Sequence, residues 1–95
     1  GSYQVSDNNP AETMVADMDN LRHMLGMASN IKPRDYGFRN YYNTSDGGPD
    51  NDSMRRLESM GLVRAGRPNY FHATEAGCKA VGMNAKQIKR ALYDN

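Results

Sequence analysis

Arginines are the side chains of this 95-residue chain whose type and spacing allow specific chemistry. Arg55 and Arg56 stand side by side in a polar run, and Arg64 and Arg67 flank a Gly/Pro turn further along. Guanidinium groups bind phosphate oxygens and pair bidentately with guanine. The pattern therefore indicates contact with nucleic acid, although an ordinary charged and solvated surface explains it equally well.

The net charge of +1 hides an uneven distribution along the chain. Residues 1–53 hold four basic and eight acidic side chains, giving −4, whereas residues 54–95 hold eight basic and three acidic ones, giving +5. A basic half can attract phosphate while the whole chain stays near neutral. The composition therefore permits an anionic partner without requiring one.

Side chains that usually build catalytic or metal sites are scarce. Two histidines and one cysteine cannot form a Cys/His zinc site of the usual count. A base–nucleophile pair of His72 and Cys78 is conceivable but has little support. The Gly47-Gly48-Pro49 loop lacks the Lys-Ser/Thr ending of a phosphate-binding loop. We therefore predict no enzymatic activity, no metal and no cofactor.

Cysteine usage and hydropathy bear on the compartment. The lone Cys78 cannot form an internal disulfide, which fits a reducing environment. No apolar run approaches the ~20 residues that a membrane helix needs. We expect a cytoplasmic protein without a membrane contact.

The first half predicts one clear helix. Asn9 and Pro10 begin it, and Glu12 completes the capping pair. We expect it to end near Ser29-Asn30, before Pro33. Its inward face is predicted to consist of Met14, Met18, Leu21, Leu25 and Ala28. Residues 1–8 are expected to be a disordered tail that starts with a cloning remnant, and residues 9–95 to be a single domain.

Residues 36–43 are rich in aromatic side chains and predict a short strand, followed by a turn over residues 44–49. We favour packing of two or three of these rings under a sheet. Stacking on single-stranded nucleic acid and contact with another protein are the alternatives. The residues assigned to a possible partner-contact patch are Arg34, Tyr36, Arg39, Tyr41 and Tyr42.

The second half predicts a helix, a hairpin and two further helices. The helix spans Asp50 to Met60, is capped by Asp50 or a neighbour at 51–53, buries Met54 and Leu57, and stops at Gly61. Strands at 62–64 and 70–73 form the hairpin. The last two helices are expected to begin with a Thr74 cap and an Asn84–Gln87 capping pair, and the final one to bury Ile88 and Leu92.

The run from Leu57 to Arg64, a Gly/Pro turn and the run from Tyr70 to Gly77 together resemble winged helix-turn-helix domains. In that family a recognition helix ends in a leucine–acid–x–x–glycine–leucine–valine phrase and leads into a two-stranded wing. The resemblance implies a small α+β fold with three to four helices and an antiparallel sheet. A full motif also has a supporting helix before the recognition helix. Here that helix is missing, shortened to one turn or hidden in residues 31–36.

The resemblance further implies that helix 50–60 enters the major groove of duplex DNA and that arginines of helix and wing face a common ligand. The residues expected to contact DNA are Asn51, Ser53, Arg55, Arg56, Ser59, Arg64 and Arg67. A regulatory or accessory role, of the kind found in phage proteins, is the leading hypothesis. Because so few basic contacts bind weakly, a homodimer is expected on DNA.

The alternative function is a protein-interaction module, such as a phage-type inhibitor or adaptor. It would use the wing and the aromatic patch at 36–42. The near-neutral total charge and the uncertain supporting helix favour this alternative.

Overall fold

Four α-helices and three short strands lie along residues 10–45 and 47–93, which are the residues that this computed structural model describes. The helices are α1 (Pro10–Met24), α2 (Pro49–Ser59), α3 (Glu75–Ala80) and α4 (Ala85–Tyr93). The strands are β1 (Tyr42–Asn43), β2 (Val63–Ala65) and β3 (Tyr70–Ala73). The predicted α+β class with a small antiparallel sheet is confirmed. The predictions for residues 1–8 and for Asn9 lie outside the described residues.

No helix within these ranges is long and apolar enough to cross a membrane.

The predicted hairpin is present. β2 pairs antiparallel with β3, with Val63 opposite Ala73 and Arg64 opposite His72. Its turn holds Asn69 at a φ of 65°, a conformation that asparagine tolerates better than most residues. β1 pairs antiparallel with the other edge of β3, so that the sheet order is β1-β3-β2.

The two faces of this sheet have different surroundings. Phe71 and Ala73 are buried on the inner face, against which α1 packs. Because successive side chains of a strand point to opposite faces, Arg64 and His72 lie on the outer face. The buried core consists of Leu21, Met24, Leu25, Met54, Leu57, Val63, Phe71, Ala73, Cys78, Met83, Ile88 and Ala91.

α1 ends at Met24, so the predicted end near Ser29-Asn30 is wrong. Gly26 adopts a φ of 76°, which glycine reaches without steric cost. The ring of Phe38 lies against Gly26, where an added Cβ would collide with it. The apolar spacing therefore continues past the end of the helix into a turn. Two residues predicted to face inward are exposed: Met14 and Ala28.

The predicted strand at 36–43 is reduced to Tyr42–Asn43. The backbone before it bonds to the end of α1 instead, since the amide of Gly37 donates to the carbonyl oxygen of Leu25 at 2.9 Å. A backbone group bonded in this way is not available for strand pairing.

One turn of 3-10 helix, Pro33–Asp35, lies between α1 and β1. Residues 44, 45, 47 and 48 are not helical. Among the described residues between α1 and α2, the helical structure is therefore this single turn, which lies within residues 31–36.

α2 begins at Pro49 with Gly48 as its N-cap and without a side-chain cap. The prediction that Asp50 or a neighbour caps it is wrong, because proline already suits the first helical position. Met54 and Leu57 are fully buried, as predicted. Gly61 ends the helix region at a φ of 77°.

Local capping signals correctly predict the last two helices. The hydroxyl of Thr74 accepts a hydrogen bond from the amide of Gly77 at 3.2 Å. Asn84 and Gln87 bond reciprocally. The side-chain oxygen of each residue accepts a hydrogen bond from the backbone amide of the other, at 2.8 and 2.9 Å. Ile88 is buried as expected, and Leu92 is partly buried against the core.

Gly77 is required where α3 touches the chain before β2. An added Cβ would collide with the backbone carbonyl of Leu62. We predict that Gly77→Ala lowers the free energy of unfolding by about 1–3 kcal/mol through this overpacking, even though alanine favours a helix by about 0.5–1 kcal/mol over glycine. Urea denaturation followed by circular dichroism measures the change.

The matched control is Ala76→Gly, at an exposed position of the same helix. It should cost only the helix propensity of about 0.5–1 kcal/mol. A Gly77→Ala protein as stable as the parent would contradict the close backbone contact.

Candidate functional site

Two of the predicted DNA-reading residues on α2 are buried, and their predicted place on an exposed polar face is wrong. The side-chain amide of Asn51 donates to the hydroxyl of Thr44 at 3.0 Å and to the side-chain oxygen of Asn69 at 3.4 Å. The hydroxyl of Ser53 donates to Asp17 at 2.6 Å. Both side chains join elements of the fold, because buried polar groups need hydrogen-bond partners.

Asp17 is the centre of this polar contact between α1 and α2. Its side chain is 2% exposed and receives two hydrogen bonds from the guanidinium of Arg56, each at 2.8 Å. Burial alone would raise the pKa of Asp17. The bonds from Arg56 and Ser53, with the charge of Arg56, outweigh burial and hold the pKa below its usual value.

The rest of the α2 surface is electrostatically mixed. Arg55 forms a salt bridge with Glu58 at 3.2 Å, and its guanidinium lies 5.5 Å from the ring centre of Phe71. Ser59 is exposed and donates to the carbonyl oxygen of Arg56 at 2.6 Å. The helix begins with two exposed acids, Asp50 and Asp52. Each arginine of α2 is therefore already matched by a carboxylate.

Arg64 and Arg55 lie on different sides of the sheet. Arg55 covers the ring of Phe71, which belongs to the inner face, whereas Arg64 lies beside His72 on the outer face. The expectation that arginines of helix and hairpin face a common ligand is therefore wrong for this pair. Arg67 is exposed in the turn of the hairpin.

A groove of about 480 Å³ opens on the outer face of the sheet. None of the described residues around it is acidic. Its walls are formed by Phe38, Arg39, Asn40, Tyr41, Arg64, His72, Ala91 and Leu92. Because β3 contributes only His72 and β2 only Arg64, most of the groove comes from the segment before β1 and from α4.

Asn40 fixes that segment in place. Its side-chain oxygen accepts from the amide of Ala73 at 2.7 Å, and its side-chain nitrogen donates to the carbonyl oxygens of Ala73 and Ala91 at 3.2 and 3.3 Å. Its own carbonyl oxygen lies 2.8 Å from Nδ1 of His72. Since a carbonyl only accepts, this ring nitrogen carries the proton.

Arg39 joins the groove to the end of α1. Its Nε and Nη2 donate to the carbonyl oxygen of His23 at 3.2 and 2.7 Å. The guanidinium also lies 5.7 Å from the ring centre of Phe38. Across residues 10–45 and 47–93, neither Arg39 nor Arg64 forms a salt bridge, so that their positive charges are not neutralised by a carboxylate.

The aromatic patch divides into buried and exposed members. Tyr36 and Tyr42 pack partly against the core, as our favoured interpretation expects. Burial, followed by the charge and hydrogen bond of Asp50, raises the pKa of Tyr42. Phe38 and Tyr41 remain 49% and 51% exposed at the groove. Arg34 is exposed as well.

The sequence interpretation missed Asn40 and the outward place of His72. The second was available in the sequence, since strand alternation puts His72 on the face opposite Phe71. The role of Asn40 depends on contacts with residues 33 and 51 positions away. No local pattern predicts such contacts.

Cys78 is not among the described residues that line this groove. It is fully buried, and burial, with a smaller effect of Glu75, raises the pKa of its thiol to about 11. The thiolate, which is the nucleophilic form, is therefore disfavoured in the folded protein.

The chain matches no protein-family model, no curated protein and no solved structure. The likeness to winged helix-turn-helix domains stays a prediction from sequence motifs.

We predict that Arg56→Ala lowers the free energy of unfolding by about 1–3 kcal/mol, because it leaves the buried carboxylate of Asp17 without its main donor. Arg55→Ala is the control, since its exposed pair with Glu58 contributes about 0–1 kcal/mol. Equal stability of the two variants in urea denaturation would contradict the importance of Asp17.

The loss should also depend on pH. Because the pKa of Asp17 is lowered in the folded state, its stabilising effect is present above the unfolded pKa of about 3.9. It is lost as the pH falls through the folded value. The stability difference between the parent and Arg56→Ala should therefore shrink on acidification below about pH 4.

Proposed function

We propose that this chain is a DNA-binding domain with a regulatory or accessory role, which contacts DNA through the outer face of its sheet and the tip of its hairpin. The observation that carries the proposal is the groove in which Arg39, Arg64 and His72 meet, with no acid among its described walls. Contacts between arginine and phosphate supply most of the affinity for DNA irrespective of sequence.

The hairpin extends this basic surface. Arg64 belongs to β2, and Arg67 follows it in the exposed turn three residues later. A short β-ribbon with two guanidinium groups can bind successive phosphates of a DNA backbone without contacting the base edges. Both residues were expected to bind DNA, and they remain in the proposal.

α2 gives less support to a DNA contact. The exposed carboxylates of Asp50 and Asp52 lie at the end of the helix that would approach the phosphates. Arg56 would have to leave Asp17 to reach a ligand, which would leave a buried charge unpaired. Of the predicted residues on α2, Arg55 and Ser59 are the ones that a ligand could engage without disturbing the core.

The test measures binding to a labelled random-sequence duplex DNA by fluorescence anisotropy at about 50 and 200 mM salt. Affinity should fall steeply with salt, because phosphate neutralisation releases counterions. We predict that Arg64→Ala/Arg67→Ala weakens binding and reduces the slope of log affinity against log salt by about 2, one for each lost phosphate contact.

Arg55→Ala is the matched control, since it removes an arginine from the other side of the sheet. If Arg55→Ala abolishes binding while Arg64→Ala/Arg67→Ala does not, α2 is the contact surface and the outer face is not. An absence of binding at the lower salt concentration refutes the proposal. Sedimentation of the same samples reports whether a homodimer binds.

A second candidate is a protein-interaction module that binds an acidic segment of another protein. The observation that favours it is the exposure of Phe38 and Tyr41 beside Arg39, since aromatic and arginine side chains are enriched in interaction hot spots. This candidate predicts no change in the anisotropy of labelled DNA when the protein is added, and saturable binding of an acidic peptide.

A further inference from the structure

The groove on the outer face combines exposed aromatic rings with unneutralised positive charge. We propose that it binds single-stranded nucleic acid, with an unpaired base stacked on Tyr41 and Phe38 and the neighbouring phosphates held by Arg39 and Arg64. This inference rests on the proposed function and names the form of nucleic acid that the same site takes.

The aromatic rings are the first argument. Phe38 and Tyr41 lie three residues apart and are each about half exposed, whereas Tyr36 and Tyr42 on either side of them pack toward the core. Both exposed rings belong to the wall of one groove. Stacking of a base on such a ring needs no particular base identity, because every base has a π face.

Positive charge is the second argument. Two of the N–H groups of Arg39 bond to the carbonyl oxygen of His23, and an arginine has five donors in total. Its other donors and its full charge therefore stay available for a phosphate. Arg64 stands across the groove on β2 and is exposed. A base held between the two arginines would have a phosphate near each of them.

The rigidity of the groove is the third argument. Asn40 ties the segment that carries both rings to β3 and α4, and its carbonyl fixes the ring of His72. A site whose shape is set before binding loses less conformational entropy when the ligand arrives.

The exposed rings and the volume of the groove favour a single strand over a duplex. In a duplex the faces of the bases are covered by stacking, and only their edges are exposed in the grooves. A volume of about 480 Å³ lies within the range of about 300–1,000 Å³ that is typical of small-ligand sites. The groove therefore has room for one unpaired base.

The charges also indicate the path of the strand. Arg39 and Tyr41 also border a second cleft, of about 290 Å³, whose other described walls include His23, Tyr42 and Asp50. A carboxylate there repels phosphate, so that the strand would leave the groove in the other direction. That direction leads past Arg64 toward the hairpin.

The experiment compares a labelled single-stranded oligonucleotide of about 12 nucleotides with a duplex of the same length, since single-strand sites span about 4–16 nucleotides. Tyr41→Ala should weaken single-strand binding by about 5- to 150-fold, the loss expected for one stacked base. Duplex binding should be unchanged. Tyr41→Phe keeps the ring and should bind the single strand like the parent.

Tyr93→Ala is the control for the loss of an exposed aromatic ring, because Tyr93 is 73% exposed at the end of α4 and does not line the groove. It should leave both affinities unchanged. Circular dichroism of each variant verifies the fold. Tyr41 is preferred over Phe38 for this test because the Phe38 ring packs on Gly26.

Several outcomes would overturn the inference. Unchanged single-strand affinity in Tyr41→Ala, with salt-dependent DNA binding that Arg64→Ala/Arg67→Ala still weakens, leaves the proposed function in place and removes the stacking site. If the parent protein binds neither the single strand nor the duplex, both the proposed function and the stacking site are refuted. A mononucleotide that binds as tightly as the oligonucleotide excludes a strand as the occupant.

Discussion

The side chain of Asn40 is the interaction on which the outer surface depends. It joins β3 and α4 to the segment before β1 through three hydrogen bonds, and its backbone carbonyl orients His72. These bonds fix the position of β3 and α4 relative to the segment that carries the rings of Phe38 and Tyr41. A single amide does this because it offers an acceptor and two donors in one plane. The groove is therefore a product of the fold as a whole.

Much of the fold follows from local signals in the sequence. Gly61 ends a helix and Thr74 begins one, since each acts on backbone groups within a few residues. The hairpin follows from the alternation of its strands. The end of α1 was predicted incorrectly because apolar spacing continues beyond Gly26, and only the ring of Phe38 reveals why the chain turns there. Where a contact spans the chain, propensity gives no guidance.

The site was less predictable for the same reason. Ser53 and Asn51 look like polar positions on a solvated helix, but Ser53 bonds to a partner 36 residues away and Asn51 to partners 7 and 18 residues away. Their burial and the commitment of Arg56 to Asp17 remove most of the predicted reading surface from α2. The basic charge of the second half of the chain is real, but its uncommitted arginines lie on the hairpin. Charge counted along a sequence thus differs from charge presented at a surface.

The burial of Cys78 gives this protein an internal reporter. The chain has one cysteine, its side chain is fully enclosed, and its thiol is held in the protonated form by its surroundings. An alkylating reagent can reach the sulfur only in molecules whose core has opened, so that the rate of labelling follows the population of opened molecules. Ligands that tighten the native state would slow that labelling, and the wild-type chain itself could therefore be screened for them without an attached dye.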